Sequence, residues 1–142
     1  MLQVGDRFPI EKLPVRLQGP AVVYFYPADL TPGCTMEAKA FDDRYDRFRE
    51  AGYEVVGVSV DSEERHEEFR SECGLRFPLV ADEGGALASE LDLLKDYGEH
   101  GRLARRVTYL LDEHGVVQRV WEVTDAGAHP EEVLQAATAG AS

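Results

Sequence analysis

Apolar residues recur along the chain at two spacings, and the changes between them mark out its elements. Ala21, Val22, Val23, Tyr24, Phe25 and Tyr26 form a short β-branched and aromatic run, the pattern of a strand buried on both faces. Pro27 ends it. Beyond a turn-forming stretch that holds Asp29, Pro32 and Gly33, a helical stripe runs from Cys34 through Ala38, Phe41, Tyr45 and Phe48, and Gly52 stops that helix near Glu50. Glu54 to Val60 reads as a second central strand, so strand, helix and strand make a βαβ unit with parallel pairing.

Asp61 opens D-S-E-E, a capping-box pattern, before a helix that runs to Cys73 with Gly74 as its stop. His66, Phe69 and Cys73 share one face of it. Phe77 to Ala81 reads as a short strand, Asp82 to Gly85 as a turn, Ala86 to Leu94 as a small helix, and Lys95 to Leu103 as a loop. Val107 to Leu111 and Val116 to Glu122 are strands of a hairpin joined by D-E-H-G. Pro130 opens the last helix, and the small-residue tail after it is expected to fray. Residues 1 to 20, with Pro9, Pro14 and Pro20, read as a surface arm with a short hairpin, laid over one edge of the sheet.

This order of elements matches a thioredoxin-type α/β fold with an added strand and helix: a mixed central sheet with helices on both faces. At 142 residues the chain is expected to form one domain with its own core. Its 27 acidic and 15 basic residues give a net charge of −12, which opposes nonspecific binding to nucleic acid or an anionic membrane. The start, M-L-Q-V-G-D-R-F-P, has no signal-peptide pattern and no run approaches a membrane span, so a cytoplasmic location is expected.

Two cysteines far apart in sequence make neither a disulfide framework nor a Cys-X-X-Cys pair nor a zinc site. Cys34 stands at the start of a helix, where unpaired backbone N–H groups and the helix dipole favour a thiolate. That context marks it as a nucleophile. Cys73 taken alone reads as a small buried hydrophobe. His66, His100, His114 and His129 are scattered and read as solvated or capping residues rather than a metal site, Trp121 as a core or cover residue of the hairpin. No metal or cofactor is expected.

The spacing Pro27-x-x-x-Thr31-x-x-Cys34 resembles the signature of the peroxiredoxins, thiol peroxidases on a thioredoxin-like fold. More narrowly, Y-P-A-D-L-T-P-G-C-T-M-E-A is similar to the Q-type group, the bacterioferritin comigratory proteins. V-G-D-R-F-P, F-P-L-V-A-D, R-V-T-Y-L-L-D and G-A-H-P-E-E-V-L resemble further family segments in the family's order. The resemblance implies that Cys34 is the peroxidatic cysteine, oxidised by hydrogen peroxide or organic hydroperoxides to a sulfenic acid. It implies that the Thr31 hydroxyl bonds to substrate and thiolate, that Pro27 shields the site from water, and that Arg106 reaches in from a later strand. Register against T-Y-L-L-D selects Arg106 over its neighbour Arg105. Glu37, one turn after Cys34, is expected to orient an arginine.

Ionisation alone is a small lever. A free thiol of pKa about 8.5 is roughly 3% thiolate at pH 7, so full ionisation gains at most about thirtyfold. A Brønsted slope of about 0.45 returns about tenfold of that. Most of the acceleration must therefore come from groups that favour charge moving onto the leaving oxygen, and Arg106, Thr31 and the helix N–H groups suit that role.

The Q-type pattern often places a second cysteine five residues after the first, where this chain has Lys39. Cys73 is then the internal candidate for resolving the sulfenic acid. A helix of about 12 residues spans roughly 18 Å, whereas a disulfide needs Cα atoms within about 7 Å, so pairing requires a helix end to open. Two cycles stay open: an internal Cys34–Cys73 disulfide reduced by thioredoxin, favoured by Gly74 beside Cys73, or a one-cysteine cycle reduced by another thiol. A thiol-disulfide reductase and a redox-sensing binding protein are the rival functions. The expected assembly is a monomer or weak dimer.

Overall fold

Every residue of the strand Ala21–Phe25 (β1) is buried, and its side chains alternate between two apolar layers. Ala21, Val23 and Phe25 face one layer, Val22 and Tyr24 the other. The computed structural model describes residues 1–140, and this strand is the centre of its sheet. After it come helix α1 (Pro32–Asp43), helix α2 (Tyr45–Glu50), strand β2 (Glu54–Ser59), helix α3 (Glu63–Cys73) and strand β3 (Leu79–Ala81). Helix α4 (Ala86–Glu90), strands β4 (Leu94–Asp96), β5 (Arg102–Ala104), β6 (Val107–Leu111) and β7 (Val117–Glu122), and helix α5 (His129–Gly140) complete the chain.

The main sheet has the order β3-β2-β1-β6-β7. Strands β1, β2 and β3 are parallel, and β6 and β7 are antiparallel to their neighbours, so the sheet is mixed as predicted. On one face Phe41 of α1, Phe48 of α2, Phe69 of α3 and Val133 and Leu134 of α5 pack on Val22, Tyr24 and Tyr26, with the Tyr24 and Phe41 rings stacked 4.5 Å apart. The other face is closed by Phe8 and Leu13 of the N-terminal arm, Leu87 and Ala88 of α4, and Leu91 and Leu93. Register is what matters for chemistry. Phe25 opposes Val107, which brings Arg106, just before β6, beside the end of β1 where the turn into α1 begins.

Several expected boundaries shift. The single helix expected after Cys34 breaks at Arg44 (φ −105°, ψ 5°): the guanidinium of Arg44 takes the Ala40 carbonyl at 2.9 Å, and its backbone N–H turns to Phe41. Ser62, rather than Asp61, caps α3 by accepting from the N–H of Arg65 at 3.2 Å, because the Asp61 carboxylate is engaged with Ser59, Arg65 and the N–H of Asp29. Gly74 ends α3 in the left-handed region (φ 64°), as predicted. The segment read as a loop over 95–103 is a two-stranded ribbon, β4 with β5, turned by Gly98 and Gly101 at positive φ. The small helix expected to reach Leu94 stops at Glu90, and Asp92 turns the chain at φ 59°.

The N-terminal arm forms no hairpin. It has a 3-10 turn at Ile10–Lys12 and pairs with the chain around β7 through the Arg7–Val116 bridge and bonds from Gly5 and Phe8 to Val117 and Gly115. Helix α5 continues to Gly140 through the stretch expected to fray, while Ala141 and Ser142 lie outside the described residues.

Candidate active site

Thr31 is the N-cap residue of α1 and Pro32 its first residue, so Cys34 sits third in the helix. Proline is well placed there, since its missing N–H would have no partner in the first turn. Cys34 is 2% exposed, in the layer between the sheet and the long helices. Arg106 reaches it from the start of β6: Nη2 lies 3.2 Å from Sγ, and Nη1 donates to Glu37 Oε1 at 2.6 Å. One guanidinium thus spans the sulfur and a buried carboxylate one helical turn away. Gly33 gives that cation room, because a Cβ there would lie 3.3 Å from Arg106 Nη2.

The electrostatics follow from burial. Glu37 is fully buried, and burial pushes its carboxyl up from 4.5 to about 7 even though Arg106 opposes the rise. Burial works against the Arg106 cation, but Glu37 and then Cys34 more than offset it and hold the guanidinium charged. Tyr24 Oη and Glu37 Oε2 are buried without a hydrogen-bond partner among the described residues. Burial, followed by the nearby Glu37 and Cys34, keeps the Tyr24 phenol protonated.

Thr31 caps no backbone N–H with its side chain. Its hydroxyl donates to the Ala28 carbonyl at 2.8 Å, and the bond to sulfur implied by the resemblance is not present among the described residues. Pro27 and Arg106 line a cleft of about 330 Å³ with Lys95, Tyr97, Val123 and Thr124. The ribbon β4–β5 thus supplies one wall. Arg105 turns to an ion pair with Glu122.

Cys73 lies elsewhere, half-buried at the last turn of α3, and both cysteines are free thiols. Burial pushes the Cys73 thiol up, and the charge of Lys39 opposes this. Lys39, standing where a local resolving cysteine would be, therefore lies near Cys73.

A model of the AhpC/TSA family matches residues 7–120. The chain belongs to this family. It is 51% identical over 102 residues to a chloroplastic peroxiredoxin Q of Sedum lineare, an overlap of 72% of this chain and 54% of that one. The chain spans about half the length of the curated relatives it matches. Among solved structures it resembles the Xanthomonas campestris bacterioferritin comigratory protein, described in connection with alkyl peroxide reduction, at 38% identity and TM-score 0.80, covering 88% of this chain and 82% of that one. A Xylella fastidiosa peroxiredoxin Q variant matches at 28% identity and TM-score 0.88, covering 100% and 99%. Within the AhpC/TSA family the chain is thus a Q-type peroxiredoxin on the thioredoxin-like fold. Among the described residues no helix is long and apolar enough to cross a membrane, and no group of three or more His, Cys, Asp or Glu could hold a metal ion.

Two histidines correct the sequence reading. His129 is 1% exposed, with Nε2 2.8 Å from Thr108 Oγ1 and the Trp121 ring edge-on at 5.5 Å. Burial, then the Arg106 cation, presses its pKa down to about 4, so it is a neutral partner of the site. His66 is 2% exposed and sits against Asp29, which is fully buried in the turn before Cys34. The signal for His66 was its place on one helix face with Phe69. Asp29 lies among turn residues, and nothing local marked it for burial.

Proposed function

We propose that the chain, acting as one unit over residues 1–142, is a thiol-dependent peroxidase that reduces hydrogen peroxide and organic hydroperoxides at Cys34. The observation that carries this reading is Arg106 spanning Cys34 Sγ and Glu37 beside a cleft open to solvent. The Cys34 thiolate attacks one peroxide oxygen. The S–O bond forms as the O–O bond breaks, sulfur is oxidised to a sulfenic acid, and the leaving oxygen takes a proton as water or an alcohol. Charge moves from sulfur to the leaving oxygen, and a guanidinium already fixed by Glu37 favours that movement without reorganising. Backbone N–H groups of the first turn of α1 add to it. The cleft past Pro27 has room for the organic part of a larger hydroperoxide.

Recycling requires a thiol, thioredoxin or another. In the cycle favoured here the Cys73 thiol attacks the sulfenic acid, releasing water and leaving a Cys34–Cys73 disulfide for an external dithiol to reduce. Opening α3 behind His66 frees residues 67–73, seven residues that extended reach about 23 Å, enough to cover the roughly 18 Å of a helix length. The resistance comes from Phe69, fully buried against Tyr26, whose exposure costs about 2 to 3 kcal/mol, and from Leu75 and Phe77, buried just past Cys73, which must also come free for it to reach that far. A one-cysteine cycle is the alternative. Two free cysteines suit a reducing compartment such as the cytoplasm.

Peroxide consumption with a thioredoxin recycling system tests the function: turnover is expected in the wild type and lost in Cys34→Ser, and turnover that survives the substitution refutes it. Mass spectrometry after one equivalent of peroxide tests the cycle. Loss of two hydrogens marks the internal disulfide, and a stable dimedone adduct with no disulfide marks the one-cysteine route.

A further inference from the structure

We propose that His66 is a positioning residue for the peroxidatic turn, a buried imidazolium clamped on Asp29 that fixes the path of the chain from Pro27 to Cys34. The proposal rests on the peroxidase reading above. Both ring nitrogens of His66 face acceptors: Nδ1 lies 2.5 Å from Asp29 Oδ2, and Nε2 lies 3.0 Å from the Val80 carbonyl. A carbonyl oxygen accepts and cannot donate, so Nε2 carries hydrogen. The other Asp29 oxygen accepts from the Tyr26 hydroxyl at 2.5 Å, which suits a carboxylate, and a carboxylate requires the hydrogen on Nδ1 as well.

Every hydrogen-bonding atom of Asp29 is committed. Its N–H donates to Asp61 Oδ2 at 2.8 Å, and its carbonyl accepts from Arg65 Nη2 at 2.9 Å. Asp61 is held in turn by Ser59 at 2.6 Å. The turn that carries Pro27 and Thr31 is therefore fastened to the end of β2, the first turns of α3 and, through His66, to β3. It needs fastening. Leu30, next to Asp29, is a non-glycine residue at φ 64°, a conformation that relaxes unless its surroundings hold it. The mechanism of peroxide attack uses none of these side chains directly, which is why His66 positions rather than reacts.

His66 faces Asp29 from the turn, the Val80 carbonyl from β3 and the charge of Asp61 just before α3, while Tyr26, just past β1, bonds to Asp29 and Arg65, in the first turn of α3, to Asp61. Burial disfavours the imidazolium, but the bonds to Asp29 and Val80 outweigh it, and the pKa of His66 lies above its usual 6.5. The clamp is thus intact below about 6.5 and is lost as pH rises through the folded pKa.

The test measures the rate of Cys34 oxidation in a single turnover by rapid-quench mass spectrometry, on folded protein well below its melting temperature. His66→Gln and Asp29→Asn each break the ion pair. A displacement of about 1 Å at a reacting centre costs about a hundredfold, so each variant is expected to oxidise ten- to a hundredfold more slowly than wild type. The double variant, which restores a neutral amide pair, is expected to recover at least part of that loss. The ratio of wild-type to His66→Gln rates is expected to be largest at acid pH and to shrink above the His66 pKa. A His66→Gln protein that loses thermal stability but oxidises Cys34 at the wild-type rate overturns the proposal. Should that variant fail to fold, nitrogen NMR of the wild type at pH 6.5 decides: both His66 nitrogens protonated supports the clamp, and a neutral tautomer sinks it. If wild-type Cys34 does not react with peroxide at all, the peroxidase reading fails, and the NMR result still reports on the clamp.

Discussion

Glu37 and His129 both feel the charge of Arg106, and over the same pH range each is neutral in the fold while its unfolded counterpart is charged. Their effects on stability have opposite signs. Glu37 has a folded pKa raised from 4.5 to about 7, so the fold holds a proton that the unfolded chain has released, and stability falls as pH rises between those values. His129 has a folded pKa lowered from 6.5 to about 4, so the unfolded chain holds the extra proton, and stability rises with pH over that range. At about 1.36 kcal/mol for each tenfold change in proton affinity, each group contributes about 3 kcal/mol between its unfolded and folded pKa values. From pH 4.5 to 6.5 the two slopes cancel.

Substituting either residue should uncover the other. Urea denaturation at pH 4.5, 5.5 and 6.5, with reductant present, gives the stability of wild type, Glu37→Gln and His129→Gln. Relative to wild type, Glu37→Gln should gain about 2 kcal/mol over these two units and His129→Gln should lose about as much, so the variants diverge by about 4 kcal/mol. Other titrating groups act equally on all three proteins and drop out of the difference. Lost hydrogen bonds lower a whole curve without tilting it. Three parallel curves would refute the assignment of both buried groups.

Arg106→Ala should slow Cys34 oxidation a hundredfold or more, read by stopped flow, because it removes the preorganised cation 3.2 Å from Sγ. If the rate falls only in step with the thiolate fraction seen by ultraviolet absorbance, the argument from transition-state charge is wrong. Gly33→Ala places a Cβ 3.3 Å from Arg106 Nη2 and should slow the reaction several-fold with little change in melting temperature; the reverse pattern would show that the close approach matters only for packing. Gly57→Ala forces a Cβ to 2.9 Å from Leu79 and 3.0 Å from the Tyr24 ring, and should cost about 1 to 3 kcal/mol in denaturant unfolding; an unchanged midpoint would mean that β2 shifts freely.

The central strands were legible because their alternation is carried by the residues themselves: Val22 and Tyr24 against Val23 and Phe25 need no partner to declare two buried faces. The Cys34 helix start was legible for a similar reason, since Thr31, Pro32 and Gly33 each suit a helix entry. The ribbon β4–β5 was not. Lys95 and Asp96 pair with Leu103 and Arg102 through backbone bonds that no apolar alternation advertises, and Gly98 and Gly101 look the same in a turn as in a loop. The break at Arg44 was equally hidden, because an arginine that takes a carbonyl of its own helix is, in sequence, an ordinary good helix former.

The candidate site divides along the same line. Cys34 and Arg106 could be named because the family segments carry them, yet the distances that make them a unit come from the register of Phe25 against Val107, a long-range fact. Histidine shows the limit most clearly. His114 sits in a charged turn and is exposed, as its neighbours suggest, whereas His129 stands before P-E-E and is buried at 1%. Local polarity misled there because burial is decided by what arrives from elsewhere: Thr108 from β6 supplies the hydrogen bond, and Trp121 from β7 and Phe41 from α1 supply the walls. A titratable group buried by distant elements has no local signature. His129 is such a group, whereas Glu37 was legible as the partner of an arginine and His66 by its helix face; what stayed hidden in all three is the burial by distant elements that shifts their charge, and with it the electrostatics of the site.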